Sequence, residues 1–399
     1  MVAIGNISLH QTNKPVGVQM KSTRIDNLGR IVTGNLESPV LHAESVYLEG
    51  GRIVEIESTT TTAETVIDAN GLTLTPGFVD GHTHPLLGGF TPRQSALGWC
   101  ENYLHGGVTS MVSAGECHVP GRPTDAAGLK ALAVLANGSY SRHRPGGVKV
   151  NAGTLLLSDD MTEADIEDVH QAGIERMKIL FALESVEHAS DLVQWGRDRE
   201  IISMMHCGGS SLPGTKNITA AMFEQITPDI AAHVNGGPTP LPDDGIDRLV
   251  EKTDMVLELI VGGNQAVAVD VLRRAHDRGE LSRMQIGTDT PTGTGVIPCG
   301  MLLEMSILAG LTDVPAPEVV ALATGNVARH HGLETGVVAE GRPADLCLLG
   351  APMGSQASDA MGALDHGEYA AVDKVLVDGE LLVERSRNTP PAKQAAVVH

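Results

Sequence analysis

Short apolar runs alternate with helical segments through the middle of the chain. The eight runs are 72–79, 108–113, 148–157, 176–181, 201–205, 229–232, 255–261 and 284–286. Helical spacing of apolar residues is seen in 163–172, 189–199, 246–253 and 266–278. Strands that alternate with helices predict an α/β fold with a parallel sheet, and eight such units predict a (β/α)8 TIM barrel. A doubly wound open sheet is the structural alternative.

Both ends of the chain show a different pattern, with short alternating runs separated by turn signals. Residues 22–75 contain the turn pairs Gly50-Gly51 and Asn70-Gly71, and residues 336–388 contain Asp378-Gly379 between two apolar runs. We therefore predict one small flanking β-sandwich built from 22–75 and 336–388, beside a barrel domain at 76–335. Residues 1–21 are predicted to be an N-terminal extension. This extension and the tail after Arg387 are expected to be loosely ordered.

Composition narrows the class of protein. The chain has 399 residues, 42% of them hydrophobic, and a net charge of -21, which argues against a nucleic-acid partner. No apolar run approaches the roughly 20 residues of a membrane span, so no membrane partner is expected. The N-terminus lacks a basic-then-apolar signal pattern, and the five cysteines form no C-x-x-C pair. We expect a cytoplasmic protein with reduced thiols.

Two histidines one residue apart end the first apolar run. Alternate residues of a strand point to the same side, so His82 and His84 can aim their imidazoles at one point beyond the strand. Two converging neutral imidazoles are typical first ligands of a divalent transition metal. Taken alone, the pair is equally consistent with one histidine that caps the strand and one that is solvated.

Four more polar residues lie where other predicted strands end. Their spacing of whole strand–helix units returns them to the same rim of a barrel, where barrel enzymes place their chemistry. Structural alternatives are a surface lysine, hydrogen-bonded core histidines and a helix-capping aspartate. The combination with His82 and His84 favours a metal site over these alternatives. The four residues are Lys178, His206, His233 and Asp289.

This set resembles the amidohydrolase superfamily, and the resemblance covers nearly the whole chain. Its motifs are H-x-H on the first strand, a bridging lysine or glutamate on the fourth, histidines on the fifth and sixth, and an aspartate on the eighth. Within the superfamily the chain is most similar to the enamidase-type cyclic amide hydrolases. That similarity lies in Ser113-Ala114-Gly115, Pro120-Gly121-Arg122-Pro123, His233-Val234-Asn235-Gly236-Gly237-Pro238-Thr239 and Ser386-Arg387-Asn388-Thr389-Pro390-Pro391.

The resemblance implies two divalent metal ions held by the six residues His82, His84, Lys178, His206, His233 and Asp289. Zinc is expected, with iron(II) or manganese as alternatives. The enamidase-type relatives bridge their metals with a glutamate, whereas this chain offers Lys178. A free lysine cannot ligate, so the implied bridge is its carbamate, N6-carboxylysine. Glu184 is the fallback bridge, and without a bridge a single-metal site on His82, His84 and Asp289 is expected.

The implied activity is hydrolysis of a C–N amide bond in a small cyclic amide, meaning a lactam, enamide or imide. A metal-bound hydroxide attacks the carbonyl, and Asp289 shuttles the proton to the departing nitrogen. Alternatives are a deaminase of a small heterocycle or an N-acyl-amino-acid or dipeptide hydrolase on the same centre. A non-catalytic scaffold relative is the remaining alternative. The partners implied are a small-molecule substrate and further copies of the chain in a homo-oligomer, a tetramer by resemblance.

Substrate contacts are predicted on loops of the same rim. His118 would hydrogen-bond the substrate or the oxyanion, and Arg122 would pair with a substrate carboxylate. Either could equally be an ordinary loop residue. The segments Gly236-Gly237 and Gly262-Gly263-Asn264 would let backbone approach the ligand closely. Asn235, Gly236 and Asn264 are therefore also predicted to contact the substrate.

Overall fold

The computed structural model describes residues 21–85, 98–116, 121–209, 216–236, 240–291 and 295–399. The strands in these ranges are β1 (Ser22–Asp26), β2 (Arg30–Val32), β3 (Val40–Leu41), β4 (Val46–Glu49), β5 (Arg52–Ile56), β6 (Thr65–Asp68), β7 (Thr73–Pro76), β8 (Phe78–Thr83), β9 (Val108–Ser113), β10 (Lys149–Asn151), β11 (Leu155–Leu156), β12 (Arg176–Ile179), β13 (Ile202–His206), β14 (Ile230–Ala232), β15 (Val256–Ile260), β16 (Met284–Gly287), β17 (Leu346–Gly350), β18 (Ala371–Val377), β19 (Glu380–Val383) and β20 (Val397–Val398). The α-helices are α1 (Trp99–Leu104), α2 (Ala126–Tyr140), α3 (Glu163–Gln171), α4 (Val186–Arg197), α5 (Ala220–Ile226), α6 (Asp243–Lys252), α7 (Gln265–Asp277), α8 (Gly300–Leu311), α9 (Ala316–Leu322), α10 (Gly325–His330) and α11 (Ala360–Asp365). Within these ranges no helix combines the length and the apolar character needed to cross a membrane.

The predicted barrel is confirmed. Strands β8, β9 and β10 pair in parallel, and β11 to β16 pair in parallel in chain order. The barrel closes between its first and last strands, because Thr83 and Thr290 form a parallel bridge. The Asp289 N–H also donates to the His82 carbonyl at 2.9 Å. The two segments that carry His82, His84 and Asp289 therefore lie side by side.

The third barrel position differs from the prediction. The run 148–157 forms two short strands, β10 and β11, rather than one. Gly153 between them has a φ of +97°, which a β-strand does not tolerate, and its N–H donates to the buried Glu116 carboxyl at 2.7 Å. The Thr154 hydroxyl donates to the Ser113 carbonyl at 2.6 Å. The Glu116 side chain and the Ser113 carbonyl, at the end of β9, thus form hydrogen bonds that replace those of a continuous strand.

The run 72–79 was also predicted as one strand, and it is two. Thr73–Pro76 (β7) pairs with β17 of the flanking sheet, whereas Phe78–Thr83 (β8) belongs to the barrel. Gly77 stands between them, where a Cβ atom would lie 2.2 Å from the Thr109 side chain. Only glycine fits this turn between the two sheets, since any side chain would collide with β9.

The flanking strands form two further sheets with the orders β20-β6-β1-β4-β5 and β19-β18-β17-β7-β2-β3. Aliphatic side chains fill the space between them, such as Ile25 and Ile67 from the first sheet and Leu74 and Leu348 from the second. Strands from both ends of the chain pair directly, because β17 runs antiparallel to β7. The predicted sandwich from both chain ends is therefore confirmed as an architecture. The domain boundaries at 22–75 with 336–388 and at 76–335 stay a prediction.

The expectation of a loosely ordered tail after Arg387 is wrong. Val397–Val398 (β20) pairs antiparallel with β6, and the Lys393 N–H donates to the Ala351 carbonyl at 2.9 Å. Ala396 is buried in the sandwich core and donates its N–H to Asp373 at 3.0 Å. The tail is held because it covers an edge of the sheet. Residues 1–20, which make up nearly all of the predicted extension, lie outside the described residues.

Candidate metal centre

Acceptor atoms of His82, His84 and Asp289 converge where β8 and β16 end. His84 Nε2 lies 3.0 Å and His82 Nε2 lies 3.5 Å from Asp289 Oδ1. The other nitrogen of each ring is engaged, because His84 Nδ1 donates to the Gly115 carbonyl at 2.9 Å and His82 Nδ1 donates to Glu258 Oε2 at 2.5 Å. With Nδ1 engaged in this way, Nε2 is the nitrogen of each ring that faces Asp289. Two imidazole nitrogens therefore converge on one carboxylate oxygen.

His206 and His233 complete the same group from the ends of β13 and β14. The ring centroids of His206 and His233 are 4.4 Å apart, and those of His82 and His233 are 5.2 Å apart. Ligand atoms of His82, His233 and Asp289 all lie within 4.8 Å of one another. His206 Nε2 donates to the Gly209 carbonyl at 3.2 Å. The structure thus brings together all five of the predicted histidine and aspartate residues.

Lys178 also lies inside this group. Its side chain is 1% exposed, and Nζ lies 2.9 Å from His82 Nε2, to which it donates. Burial lowers the pKa of the Lys178 ammonium to about 8, against the opposing effect of Asp289 and Glu258. The alternative of a solvated surface lysine is therefore wrong. Glu184, the fallback bridge, is exposed and lies beyond the end of β12.

Burial governs the charge of the imidazoles. It lowers the pKa values of His82 and His233 well below the usual value, with Lys178 adding to the effect, and it lowers the pKa of His206 to about 4. Burial alone would raise the pKa of Asp289, but His82, His84 and Lys178 outweigh it and hold the pKa below its usual range. Neutral imidazoles beside an ionised carboxylate are the protonation states that metal ligation requires.

The residues present fit a divalent metal. The distances of 3.0 and 3.5 Å from Asp289 Oδ1 to the two Nε2 atoms suit groups that share one cation. Two nitrogen or oxygen ligands of a tetrahedral zinc ion are roughly 3.3 Å apart, given zinc–ligand bonds of about 2.0–2.1 Å. His233 Nδ1 is buried without a hydrogen-bond partner among the described residues, as expected for an atom kept for a ligand. His82, His233 and Asp289 therefore form a candidate metal site.

Glu258 on β15 supports this group, and sequence reasoning missed it. Its side chain is fully buried, its Oε2 accepts from His82 Nδ1, and the His233 N–H lies 3.2 Å from the same oxygen. Gln285 Nε2 donates to Glu258 Oε1 at 2.8 Å. One carboxyl group thus orients His82 and also holds the backbone of His233, which has a φ of +40°. The available signal was an acidic residue inside the apolar run 255–261.

The predicted substrate contacts fare differently. His118 lies outside the described residues. Arg122 stands over the Phe181 ring, 5.9 Å from its centroid, and lines a cavity of about 440 Å³ beside the ends of β11 and β12. Three aspartates line the same cavity, namely Asp125, Asp159 and Asp160. The carboxylate-binding role of Arg122 stays a prediction.

The side chains of Asn235 and Asn264 bind the protein's own backbone, and their contact with substrate stays a prediction. Asn235 Nδ2 donates to the Ile260 carbonyl at 2.8 Å, and its Oδ1 accepts from the Ile260 N–H at 3.0 Å. Asn264 Oδ1 caps α7 by accepting from the N–H groups of Ala266 and Val267. A Cβ at Gly263 would lie 2.4 Å from the Gly236 carbonyl oxygen, so this glycine serves loop packing. Contact of the Gly236 backbone with substrate stays a prediction.

Comparison with known proteins agrees with this geometry. The model of the amidohydrolase family matches residues 73–382. Enamidase of Eubacterium barkeri is 42% identical over 385 residues, covering 95% of this chain and 100% of that protein. A crystal structure of enamidase, described as a member of the amidohydrolase superfamily, covers 95% of this chain with a TM-score of 0.89 and 41% identity. D-hydantoinase from Thermus sp. shares the fold alone, with a TM-score of 0.66 and 17% identity over 91% of this chain.

Proposed function

Because the chain belongs to the amidohydrolase family, we propose that it is a metal-dependent hydrolase that opens the C–N bond of a small cyclic amide. The observation that carries this proposal is the convergence of His82 Nε2 and His84 Nε2 on Asp289 Oδ1. The 42% identity to enamidase over the length of that protein supports a cyclic amide as the substrate class.

We propose that two divalent ions bind here, zinc in the first place, with iron(II) or manganese as alternatives. His82, His84, His206, His233 and Asp289 would hold them, and Lys178 would bridge them as N6-carboxylysine. Support for the carbamate comes from the position and burial of Lys178. A lowered pKa leaves more of the neutral amine, which is the form that reacts with carbon dioxide.

When bound, the ions would act as Lewis acids that polarise the amide carbonyl and make water nucleophilic at neutral pH. Asp289 would accept the proton of the attacking water, because its carboxylate is ionised and faces the site. It would then deliver this proton to the ring nitrogen as the C–N bond breaks, since an amide nitrogen leaves poorly as an anion. Glu258 would keep His82 in the tautomer that presents Nε2.

A substrate panel tests this function. δ-Valerolactam, glutarimide, hydantoin and dihydropyridone, each with and without a carboxylate substituent, would be incubated with metal-loaded protein and followed for ring opening by mass spectrometry. Aminated heterocycles, N-acyl amino acids and dipeptides would be incubated in parallel, with ammonia detection. Opening of at least one ring amide, lost on chelation and restored by zinc or iron(II), is the expected result. Ammonia release from aminated heterocycles alone would indicate a deaminase. Cleavage of N-acyl amino acids or dipeptides alone would indicate the second alternative.

We further propose a homo-tetramer located in the cytoplasm, on the strength of the resemblance. Light scattering of the purified protein gives the mass of the assembly, and a monomer would contradict this part of the proposal. Fractionation of the source cells tests the location.

A further inference from the structure

The backbone of Asp289 is strained, so contacts of the surrounding residues must hold it in place. Its φ is +55°, in the left-handed region that non-glycine residues seldom adopt. Such a conformation persists only where the surroundings determine it. The two neighbouring residues, Thr288 and Thr290, are both fully buried and point their hydroxyl groups into one hydrogen-bond chain.

This hydrogen-bond chain connects helix α1 to strand β8. The Ile297 N–H donates to the Tyr103 hydroxyl oxygen at 3.1 Å, and Tyr103 hydrogen bonds to Thr290 Oγ1. Thr290 and Thr288 hydroxyls are 2.8 Å apart, and Thr288 Oγ1 donates to Asp80 Oδ2 at 2.7 Å. Asp80 Oδ1 accepts from the N–H groups of Thr288 at 2.9 Å and His82 at 3.2 Å.

The last link fixes the direction of every hydrogen in this hydrogen-bond chain. Thr288 donates its one hydroxyl hydrogen to Asp80, so its oxygen must accept from Thr290. Thr290 must then accept from Tyr103, whose oxygen also accepts from the Ile297 N–H. Hydrogen bonds aligned in one direction polarise and strengthen one another. The chain ends on the residue that also binds the N–H of His82.

Helix α1 is itself anchored by a segment near the end of the chain. Asn388 Nδ2 donates to the Asn102 carbonyl at 2.8 Å, and the Ser386 hydroxyl donates to the His105 carbonyl at 2.6 Å. Cys299, which precedes α8, donates its thiol to the Asn388 carbonyl at 3.5 Å. The segment Ser386-Arg387-Asn388 thus ties α1 to the far end of the connection between β16 and α8.

We propose that Tyr103 is a positioning residue for Asp289: a one-way chain of hydroxyl groups through Thr290 and Thr288 to Asp80 holds both neighbours of Asp289 and aims its carboxylate at His82 and His84. This proposal rests on the proposed function, because the orientation of Asp289 matters for turnover only if Asp289 transfers the proton. The hydrogen-bond chain itself can be tested without substrate. The hydroxyl group of Tyr103, on helix α1, hydrogen bonds to Thr290 and Ile297, neither of which is a predicted ligand.

Hydrogen exchange of the metal-free protein provides the first test. Tyr103→Phe removes the central hydroxyl and keeps the ring, which packs against Trp99 with centroids 5.4 Å apart. We expect exchange in peptides that span the β16–α8 connection to rise about fivefold, the effect of losing one hydrogen bond. Thr290→Val should do the same. The matched control is Tyr140→Phe, a buried tyrosine on α2, which packs on β10 and β11 instead.

The second test uses cobalt(II) as the metal probe. The visible spectrum of the cobalt-loaded protein reports the geometry of the ligands, so it should change in Tyr103→Phe and in Thr290→Val and stay unchanged in Tyr140→Phe. In turnover of the panel member that the unaltered protein opens, kcat should fall about tenfold or more while KM changes less than about threefold, since a misaimed proton carrier impairs the chemical step. If Tyr103 only stabilised the fold, the cobalt spectrum would stay that of the unaltered protein and kcat would not fall more than KM changes.

The double variant Tyr103→Phe/Thr290→Val completes the design. Because both hydroxyls act through one chain, the double variant should be no worse than the more impaired single variant. Multiplying effects, or exchange and spectra equal to those of Tyr140→Phe, would overturn the proposal. Failure of the proposed function looks different, because no ring amide of the panel would then be opened, whereas hydrogen exchange of the metal-free variants would still report the hydrogen-bond chain.

Discussion

Polar residues follow the barrel strands at two places on the same rim, and the protein uses them in opposite ways. Beyond β8 and β16, His84 and Asp289 turn their side chains towards each other. The neighbouring Thr288 donates its hydroxyl group and its backbone N–H to Asp80 of β8. Beyond β14 and β15, Asn235 and Asn264 give their side chains to backbone N–H and C=O groups. A polar residue at a strand end is therefore free for chemistry only where something else satisfies the surrounding backbone.

The largest effect is expected for Asp289→Asn, at the chemical end of this comparison. The amide keeps the size of the side chain but cannot accept the proton of water, so turnover should fall by about three orders of magnitude. Circular dichroism and the melting temperature should stay close to those of the unaltered protein. Turnover within a factor of a few of normal would remove Asp289 from proton transfer.

The Lys178 variants sharpen the comparison through metal content. Lys178→Met cannot form a carbamate, so it should lose about one of two metal ions per chain and roughly two orders of magnitude in turnover. Lys178→Glu supplies a permanent bridging anion and should retain both ions, measured by elemental mass spectrometry. Reloading of metal-free protein should need bicarbonate in the unaltered chain and not in Lys178→Glu. Full metal content in Lys178→Met would contradict the bridge.

Glu258→Gln should have an intermediate effect. The carboxyl accepts from His82 Nδ1 and lies against the His233 N–H, and its replacement by an amide leaves His82 free to take the wrong tautomer. Metal affinity should fall by about 10- to 100-fold, as for other residues that orient a ligating histidine. Competition with a chelating dye gives the affinity. The matched control is Glu163→Gln on the outer helix α3, which makes the same substitution at an exposed carboxyl group.

The smallest effect on turnover is expected beyond β14 and β15, where Asn235 and Asn264 lie. Asn264→Ala removes the cap of α7 and should lower the free energy of unfolding by about 0.5–2 kcal/mol, with turnover nearly unchanged. Asn264→Asp keeps an oxygen at the cap and should restore the stability. Denaturant unfolding measures both variants. A large rise in KM for Asn264→Ala would support the predicted substrate contact of this residue and break the comparison.

The sequence was informative where a residue's role depends on period and register. His82 and His84 could be paired because alternate residues of a strand share a side, and His206, His233 and Asp289 because whole strand–helix units return to one rim. Strand β9 was predicted at the bounds that the structure shows, Val108–Ser113. Composition gave no comparable information about individual side chains.

Prediction failed where the role depends on contacts that are remote in sequence. Nothing in the run 72–79 shows that Thr109 blocks a side chain at Gly77, so the break between two sheets was missed. Glu258 was not singled out because its partner His82 lies far along the chain. The sequence also does not show that Ile260 takes both ends of the Asn235 amide.

The pairing of β7 with β17 has a consequence for biosynthesis. The ribosome releases β7 early, together with the rest of the first third of the polypeptide, but its neighbour β17 emerges only after every barrel strand has been made. Until then one flank of β7 offers unpaired N–H and C=O groups to any passing strand. The nascent protein therefore carries an open edge throughout most of its translation, and completion of the last strands seals it.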